Sequence, residues 1–239
     1  MELDHKVHEK REGLFAGLAV FIILEFLTYF IYLNAINAQK GEILEGLYRT
    51  AYVIRTLIDE KQHQLLDCVD QEEFPIYLDQ IEPLYRALNV DSSIEFIYTM
   101  IQKDSTIHFI LDPTPPGQYD KKGIETKSHI MNIYKDPSNE LKKCFDTHKK
   151  SITHKAYNDQ WGSHISCYLP LFDEKKFIGV LGVDISSETY NNRLEPIKKA
   201  TQRTMVTIFF IAYLSGMIIW FLRRLQKEIC GEMDSKSYK

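Results

Sequence analysis

Six side chains in the middle of the chain are of types that bind small polar ligands. They comprise four aromatic residues and two aspartates: Tyr98, Tyr157, Asp159, Trp161, Tyr168 and Asp184. Aromatic faces wall small pockets and attract cations, and a carboxylate accepts hydrogen bonds from an amine. Together these residue types predict a pocket for a small ligand with a positive or hydrogen-bond-donating group.

Each of these residues also has an interpretation that involves no ligand. The aromatic side chains could pack in the core of a domain. Asp184 could cap a turn or the following helix, and Asp159 could be a solvated loop charge. The spacing of the six residues leaves both interpretations open at every position.

Tyr168 and Asp184 lie on two predicted strands that are joined by a turn. The runs from His164 to Phe172 and from Lys176 to Ile185 are rich in β-branched and aromatic residues, which is typical of strands. The residues between them, Asp173 to Lys175, suit a hairpin turn. We therefore expect an antiparallel hairpin with Trp161 in the loop that precedes it.

The rest of the domain is predicted to supply the other strands and a long loop. Ser93 to Gln102 is apolar on both faces, which indicates a central strand, and Thr106 to Leu111 forms a hairpin with it. The proline-rich segment from Asp112 to about Lys127 is predicted to be a loop. Asn139 to Lys149 has a helical pattern, and Ser151 to Tyr157 is predicted as a further strand.

Two helices are predicted ahead of the strands. The first, Gly41 to Asp70, has apolar residues at alternating three- and four-residue steps: Leu44, Leu47, Ala51, Ile54, Ile58, Leu65 and Cys68. Such a stripe either packs on its own domain or forms a dimer seam. The second, Glu72 to Leu88, has Pro75 in its first turn, where proline is tolerated, and Pro83 at a position that could break it.

The chain shows no signature of an enzyme. It contains no phosphate-binding loop, zinc-protease motif, nucleophile elbow or kinase signature. His108 falls on a predicted strand and is expected to be a packed residue. No C-x-x-C pair indicates a metal site, and no cofactor is predicted. A net charge of −4 does not suggest nucleic acid as a partner. The pairing of Cys68, Cys144 and Cys167 stays open.

Two apolar runs near the ends are each about long enough to cross a bilayer as a helix. Leu14 to Leu33 has one charge, Glu25, and Thr204 to Leu222 has none. Buried core helices are the alternative, but Trp220 and Arg223-Arg224 close the second run as interface anchors do. Glu25 is either tolerated there or contacts the second span, with Tyr213 or Ser215 as the expected partners.

The flanking charges predict the orientation of these spans. Basic residues lie outside both runs, which places the tails in the cytoplasm: Lys6, Lys10, Arg11, Arg223, Arg224 and Lys227. The predicted organisation is a tail at 1–13, a span at 14–33, an extracytoplasmic domain at 39–203, a span at 204–222 and a tail at 223–239. The last tail is too short for a kinase, cyclase or methyl-accepting output domain.

Several of these segments resemble Cache-type sensor domains, the PAS-like extracytoplasmic modules of bacterial membrane receptors. The resemblance rests on Trp161-Gly162, the strand from Ser166 to Pro170, the run from Gly179 to Ile185 and the upstream hairpin from Phe96 to Gly117. It covers roughly Gln39 to Arg203. It implies an α+β fold: a PAS-like antiparallel sheet of about five strands with a long N-terminal helix, flanked by two transmembrane helices.

The resemblance also bears on the ligand. In amino-acid-binding relatives, an aspartate at a place similar to Asp184 meets the ligand amine, while an arginine and a tryptophan hold its carboxylate. Here Trp161 is present, but Asn158, Asp159 and Gln160 precede it and no arginine does. The ligand therefore stays unidentified, and an amino acid is not assumed.

The sequence thus predicts a membrane-anchored sensor module that binds a small ligand and transmits a conformational change across the inner membrane. It is expected to be a two-pass protein that works as a homodimer or with a partner signalling protein. The alternative is a structural or interaction protein with the same fold and no ligand, which acts as the partner of another receptor.

Overall fold

The computed structural model describes residues 2–120 and 123–237. Lys121 and Lys122 of the predicted loop lie outside this part, as do the side chains of Lys6, Lys10 and Lys227. The α-helices of the described residues are α1 (Glu2–Arg55), α2 (Glu60–His63), α3 (Pro75–Val90), α4 (Asn139–Thr147) and α5 (Ser187–Ser237).

The strands form one antiparallel sheet. They are β1 (Phe96–Lys103), β2 (Thr106–Phe109), β3 (Ser151–Ile152), β4 (Tyr157–Asn158), β5 (Ser163–Asp173) and β6 (Lys176–Ser186). Their order is β2-β1-β6-β5-β3, and the two-residue β4 also pairs with β5. The predicted α+β fold with about five antiparallel strands is confirmed. The strand expected over Ser151 to Tyr157 is instead split into β3 and β4.

The helix expected from Gly41 to Asp70 ends early, at Arg55. The next amides bond three residues back instead of four, and the chain turns away. Asp59 then caps the short helix α2 by accepting from Lys61 N and Gln62 N at 3.0 Å. The break brings His63 onto the sheet, where its Nε2 lies 2.8 Å from Thr99 Oγ1. Burial lowers the pKa of His63 to about 4, so it is neutral at pH 7.

The apolar stripe of α1 packs inside its own domain. Ile43, Leu47, Ala51 and Ile54 are buried, as is Ile58 after the helix ends. The predicted stripe position Leu44 is half-buried, next to Ile43. The predicted seam positions Leu65 and Cys68 are exposed instead, because the helix has already ended. The structure thus shows the helix packing on its own domain, and the dimer seam stays a prediction.

The second helix begins at Pro75, the position that suited a first turn. Pro83 lies inside α3 and the helix continues through it to Val90. Residues 69–73, where this helix was expected to start, form a 3-10 helix.

The sheet is buried on both faces, as predicted for β1. Thr99 faces the His63 side, with the helices that precede the sheet. On the other face Tyr98, Met100, Phe109, Tyr168 and Val180 pack with three residues of α4: Leu141, Cys144 and Phe145. The predicted pocket residues therefore lie on the α4 side of the sheet.

One glycine makes room for a pocket residue on this face. Gly182 of β6 lies opposite Tyr98 on one side and Tyr168 on the other. A Cβ at this glycine would lie 2.3 Å from the Tyr98 ring, which is closer than van der Waals radii allow. The absent side chain lets the Tyr98 ring lie across the central strand.

Residues 2–39 and 194–237 form a separate unit of two long helices. Both contain stretches long and apolar enough to cross a membrane, with mean hydropathy of 2.3 and 2.2 over their best windows. Small residues let the helices approach closely: a Cβ at Gly13 would lie 2.8 Å from Gly216 O, and one at Gly17 would lie 2.9 Å from Ala212 O. The small residues Ala212 and Gly216 of α5 thus face glycines of α1.

The register of this helix pair shows which residues of α5 lie level with Glu25. Gly13 meets Gly216, Gly17 meets Ala212, and Phe21 meets Phe209 at 6.5 Å between ring centroids. Continuing the same four-residue steps brings Glu25 to the level of residues 204–205. Tyr213 is 62% exposed, and Ser215 Oγ bonds Ile211 O within its own helix. The expectation that either residue pairs with Glu25 is therefore wrong.

The three cysteines of the central domain are free thiols. Cys144 and Cys167 are buried, on α4 and β5 respectively, whereas Cys68 is exposed. Burial raises the pKa of Cys144 and of Cys167 to about 12.

Substitution of Gly182 tests the close approach of Tyr98. Gly182→Ala should lower the unfolding free energy by about 1–3 kcal/mol, because the added methyl group displaces a fully packed ring. Thermal unfolding of the full chain in nanodiscs measures this. Gly46→Ala is the control: no atom lies within 4 Å of its Cβ position in α1, so it should be neutral or stabilising by about 0.5–1 kcal/mol. Equal behaviour of the two variants would contradict the packing described.

Candidate functional site

A small cavity lies between the α4 side of the sheet and the loops that cover it. Four of the six predicted residues line it: Tyr98, Asp159, Trp161 and Asp184. The remaining lining residues are Phe96, Phe109, Asp112, Thr126, Ser128, Tyr134 and His164. The other two predicted residues, Tyr157 and Tyr168, are not in the lining. They lie beside it and are linked to it by hydrogen bonds.

The strand register explains why these residues meet. Asp184 of β6 pairs with Phe96 of β1 and with Ser166 of β5, two positions along from the row that contains Tyr98 and Tyr168. Side chains two residues apart on a strand share a face. Residues from three strands are therefore brought to one patch of the sheet.

Asp184 is a carboxyl group held inside the protein. Its residue is 2% exposed, and Tyr98 donates its hydroxyl to both carboxylate oxygens at 3.0 and 3.1 Å. Burial raises the pKa of Asp184 to about 7; the charge of His164 and hydrogen bonds from Ser166 and Tyr98 limit the rise. Asp184 does not cap the next helix, since Ser186 Oγ accepts from Thr189 N at 3.0 Å in that position.

His164 is the central residue that the sequence analysis missed. Its side chain is 1% exposed, with Nδ1 3.0 Å from Glu95 Oε2 and Nε2 3.4 Å from Asp159 Oδ1. The Nε2 contact is an ion pair without the alignment of a hydrogen bond. Burial lowers its pKa, but bonding to Asp159 and Glu95 and the charges of Asp184 and Asp159 outweigh this and raise it to about 10. The site thus contains a buried imidazolium at pH 7.

Asp159 shapes the loop that presents Trp161. Its Oδ1 accepts from Trp161 N at 2.9 Å and Gly162 N at 3.1 Å, and its Oδ2 accepts from Tyr134 OH at 2.8 Å. Its side chain is 4% exposed, so it is not a solvated loop charge. Burial opposes ionisation, but the ion pair with His164 and the hydrogen bond from Tyr134 outweigh it and lower the pKa of Asp159. Gly162 has a φ of +154°, and a Cβ added at this glycine would lie 3.2 Å from the His164 ring.

A chain of hydroxyl groups joins the cavity to the core beside it. Tyr157 OH lies 3.3 Å from Tyr134 OH, 3.1 Å from Ser166 Oγ and 3.0 Å from Tyr168 OH. Ser138, the cap of α4, donates its hydroxyl to Tyr168 OH at 3.0 Å. Tyr157 and Tyr168 therefore support the site from behind instead of forming its wall.

The segment predicted as a long loop does cover the cavity. Thr126 and Ser128 line it, and the Trp161 indole donates to Glu125 O at 3.0 Å. Asp112 fixes the other side of this segment by accepting from Thr114 N at 2.8 Å and Ser128 N at 2.7 Å. Residues 125 to 128 and Trp161 are called the cover below.

Charged residues outside the cavity hold the cover to α3 and the preceding turn. Lys127 is buried and donates to Tyr77 OH at 3.0 Å and to Asp112 O at 2.8 Å. His129 Nδ1 lies 3.0 Å from Glu72 Oε2 and its Nε2 lies 3.4 Å from Glu125 Oε2. These contacts join the cover to the helical side of the domain.

The cavity itself is small, with a volume of about 20 Å³. That is about the space that one water molecule needs. The described structure is therefore a closed state in which side chains fill most of the site. No group of three or more metal-ligating side chains occurs among the described residues.

Replacing His164 tests the charge balance of the site. A raised pKa means that the imidazolium contributes stability below about pH 6.5, and that this stability is lost as pH rises through about 10. His164→Gln should therefore be less stable than the parent at pH 6, on the order of a few kcal/mol, and the gap should close towards pH 10. Chemical unfolding of the full chain in detergent across this range measures it.

His108→Gln is the matched control for this measurement. Its ring bonds Thr106 and Met131 O instead of a carboxylate, so His108→Gln removes a histidine without removing an ion pair. A stability difference for His164→Gln that is constant from pH 6 to pH 10 would contradict the charged state of His164.

No protein-family model matches the chain, and no curated protein matches it. Solved structures with similar folds do exist. One is a methyl-accepting chemotaxis protein X, at 16% identity and a TM-score of 0.44, covering 72% of this chain and 67% of that one. A second is the ligand-binding domain of the Campylobacter jejuni chemoreceptor Tlp3 with L-valine, at 16% identity and 0.35, covering 79% and 66%. A third is the extracellular domain of a putative histidine kinase, at 17% and 0.42, covering 70% and 61%.

This chain spans about two thirds of the length of those chains. At these identities and TM-scores, none of them tells what this chain binds. The structures to which it is similar are extracellular sensor domains of chemoreceptors and of a histidine kinase, the class of domain that the Cache-type resemblance in the sequence indicates.

Proposed function

We propose that this chain is a membrane-anchored sensor module whose central domain, residues 39–203, faces the outside of the inner membrane. Residues 14–33 and 204–222 are the two membrane spans in this proposal. Two observations support it: the apolar helices are long enough to span a bilayer, and small residues let them pack together. Arg223 and Arg224 follow the second span, as the positive-inside rule requires.

The observation that carries the sensing role is the buried carboxyl group of Asp184 in a covered cavity. A buried acid is costly unless it has a partner, and here it faces a water-sized space surrounded by aromatic rings. Such an arrangement suits a ligand with a positive or hydrogen-bond-donating group. We place this ligand between Asp184 and the cover.

The position of Asp184 in the chain supplies a route for the signal. Asp184 lies near the end of β6, and α5 starts at Ser187 and continues to Ser237. A change at the carboxyl group is therefore three residues from the start of the helix that contains the second span. Signalling further requires that the two states differ in ligand affinity. In this proposal, the output belongs to a partner signalling protein or a second copy.

A second candidate function is favoured by the volume of the cavity. With about 20 Å³ of space and polar groups that bond one another, the fold resembles a module with a filled pocket. It would then act as an interaction protein that assembles with another receptor without a ligand of its own. The lining, however, contains the charged or ionisable groups of Asp159, His164 and Asp184 beside its aromatic rings, which favours the sensor.

Labelling of intact cells tests the orientation. A cysteine introduced at the exposed Gln118, in a background without the other cysteines, should react with a membrane-impermeant maleimide from outside. A cysteine introduced at Glu228, after the second span, is the control and should react only after the membrane is permeabilised. Labelling of the Glu228 position in intact cells, with the Gln118 position protected, would reverse the proposed orientation.

A thermal-shift series tests the ligand. Ammonium, methylammonium and ethylammonium chlorides should raise the melting temperature of the full chain in nanodiscs, while sodium acetate should not. Asp184→Asn should abolish this rise yet change the melting temperature of the free protein little, because the acid is about half protonated near pH 7. Asp173→Asn, at the far end of the same hairpin, should keep it. Absence of any rise in the parent protein would favour the interaction protein.

A further inference from the structure

The closed site has almost no room for a molecule. Its polar groups are bonded to one another: Tyr98 to Asp184, Tyr134 to Asp159, and His164 to Glu95. Any organic ligand has to displace these side chains before it binds. A proton needs no volume, and Asp184, one of the residues that line the remaining space, is an acid.

We propose that the proton is itself a ligand of this site: Asp184 gains and loses it, and the charge state of Asp184 decides whether the cavity is closed beneath the cover or open to water. This inference rests on the proposed sensor function, because it names the stimulus of the same site. The protein is then a sensor of external pH.

The charged and titratable groups around Asp184 come from every element packed against it. They lie on β1 and the residue before it, on β4 and β5, on the loop between those strands and on the cover side: Glu95, Tyr98, Tyr157, Asp159, His164, Tyr168, Tyr134 and Asp112. The tyrosines stay neutral at physiological pH because burial raises their pKa values well above the usual range. The charges that act are therefore those of the carboxyl groups and His164.

Counting these charges shows why one proton matters. His164 is positive and lies between Glu95 and Asp159, so it is already paired with two carboxylates. Ionisation of Asp184 adds a further negative charge to a space closed to water, and an incompletely paired buried charge is costly. The pKa of about 7 for Asp184, which burial raises, agrees with this cost and lies in the range in which external pH varies.

The cover is the part that responds. Its two parts are joined to each other over the cavity by the bond from the Trp161 indole to Glu125 O. Protonated Asp184 is neutral and fits the closed state, whereas the ionised form gains from contact with water. As pH rises, the equilibrium shifts towards a state in which the cover lifts and Trp161 enters water.

Two other groups could give a pH response, and the test has to separate them. Asp112 also lines the cavity, but both its oxygens accept backbone amides, one from Thr114 and one from Ser128 of the cover. His129 lies outside the cavity between Glu72 and Glu125. Burial lowers the pKa of His129, but its bonds to Glu72 and Glu125 outweigh this and raise it.

Tryptophan fluorescence of the full chain in nanodiscs tests the proposal. The chain has two tryptophans, so Trp220→Phe leaves Trp161 as the one reporter. Its emission should shift to longer wavelength as pH rises from 5 to 9, with a midpoint near 7. Asp184→Asn should keep the short-wavelength emission throughout, since asparagine imitates the neutral acid. Asp173→Asn should keep the transition of the parent protein.

A second variant keeps the test decisive if Asp184→Asn does not fold. Tyr98→Phe removes the donor that stabilises the ionised carboxylate, so the midpoint should move up by about one pH unit. A flat emission profile in the parent protein would overturn the proposal. So would a transition that survives Asp184→Asn, since Asp112 or His129 would then cause it. If the small ammonium salts stabilise the protein while the emission profile is flat, the proton inference fails and the sensor function stands.

Discussion

The structure of the central domain depends on one electrostatic constraint, the burial of the Asp184 carboxyl group beside the His164 imidazolium. Neither group could be buried alone at acceptable cost. Glu95 and Asp159 share the imidazolium, and Tyr98 donates to Asp184. The loop at Trp161, the turn glycine Gly162 and the slot at Gly182 all serve to bring these groups within contact distance.

The same constraint explains the division of the sheet into two faces. The face towards α1 and α2 contains neutral partners such as His63 and Thr99, and burial keeps His63 uncharged at pH 7. The opposite face collects the acids and the charged histidine. Two buried histidines of one domain thus differ in charge because one has a hydroxyl partner and the other has carboxylates.

Much of the fold could be predicted from sequence because its signals are local. The β5–β6 hairpin, the central strand β1 and the helix α4 follow from period and turn chemistry. The end of α1 at Arg55 could not be predicted, since the apolar spacing continues past it and the break is set by His63 reaching Thr99 on a distant strand. A tertiary contact of this kind leaves no trace in local periodicity.

The candidate site was predicted in part for the same reason. Tyr98, Asp159, Trp161 and Asp184 were chosen by residue type, and the register of three strands brings them together. His164 and Tyr134 were missed, because a histidine in an apolar run and a tyrosine in an irregular segment look like packing residues. The one available signal for His164 was its place two residues after Gly162, on the same strand face as Ser166.

The free thiols have a consequence for the proposed position of the domain outside the cytoplasm. Disulfide exchange and oxidation proceed through the thiolate, and burial raises the pKa of both Cys144 and Cys167 to about 12. Almost no thiolate exists at either position at neutral pH, and the core also excludes oxidants from them. In an oxidising compartment, oxidation and disulfide exchange would therefore occur at the exposed Cys68. The two buried thiols would stay unreactive.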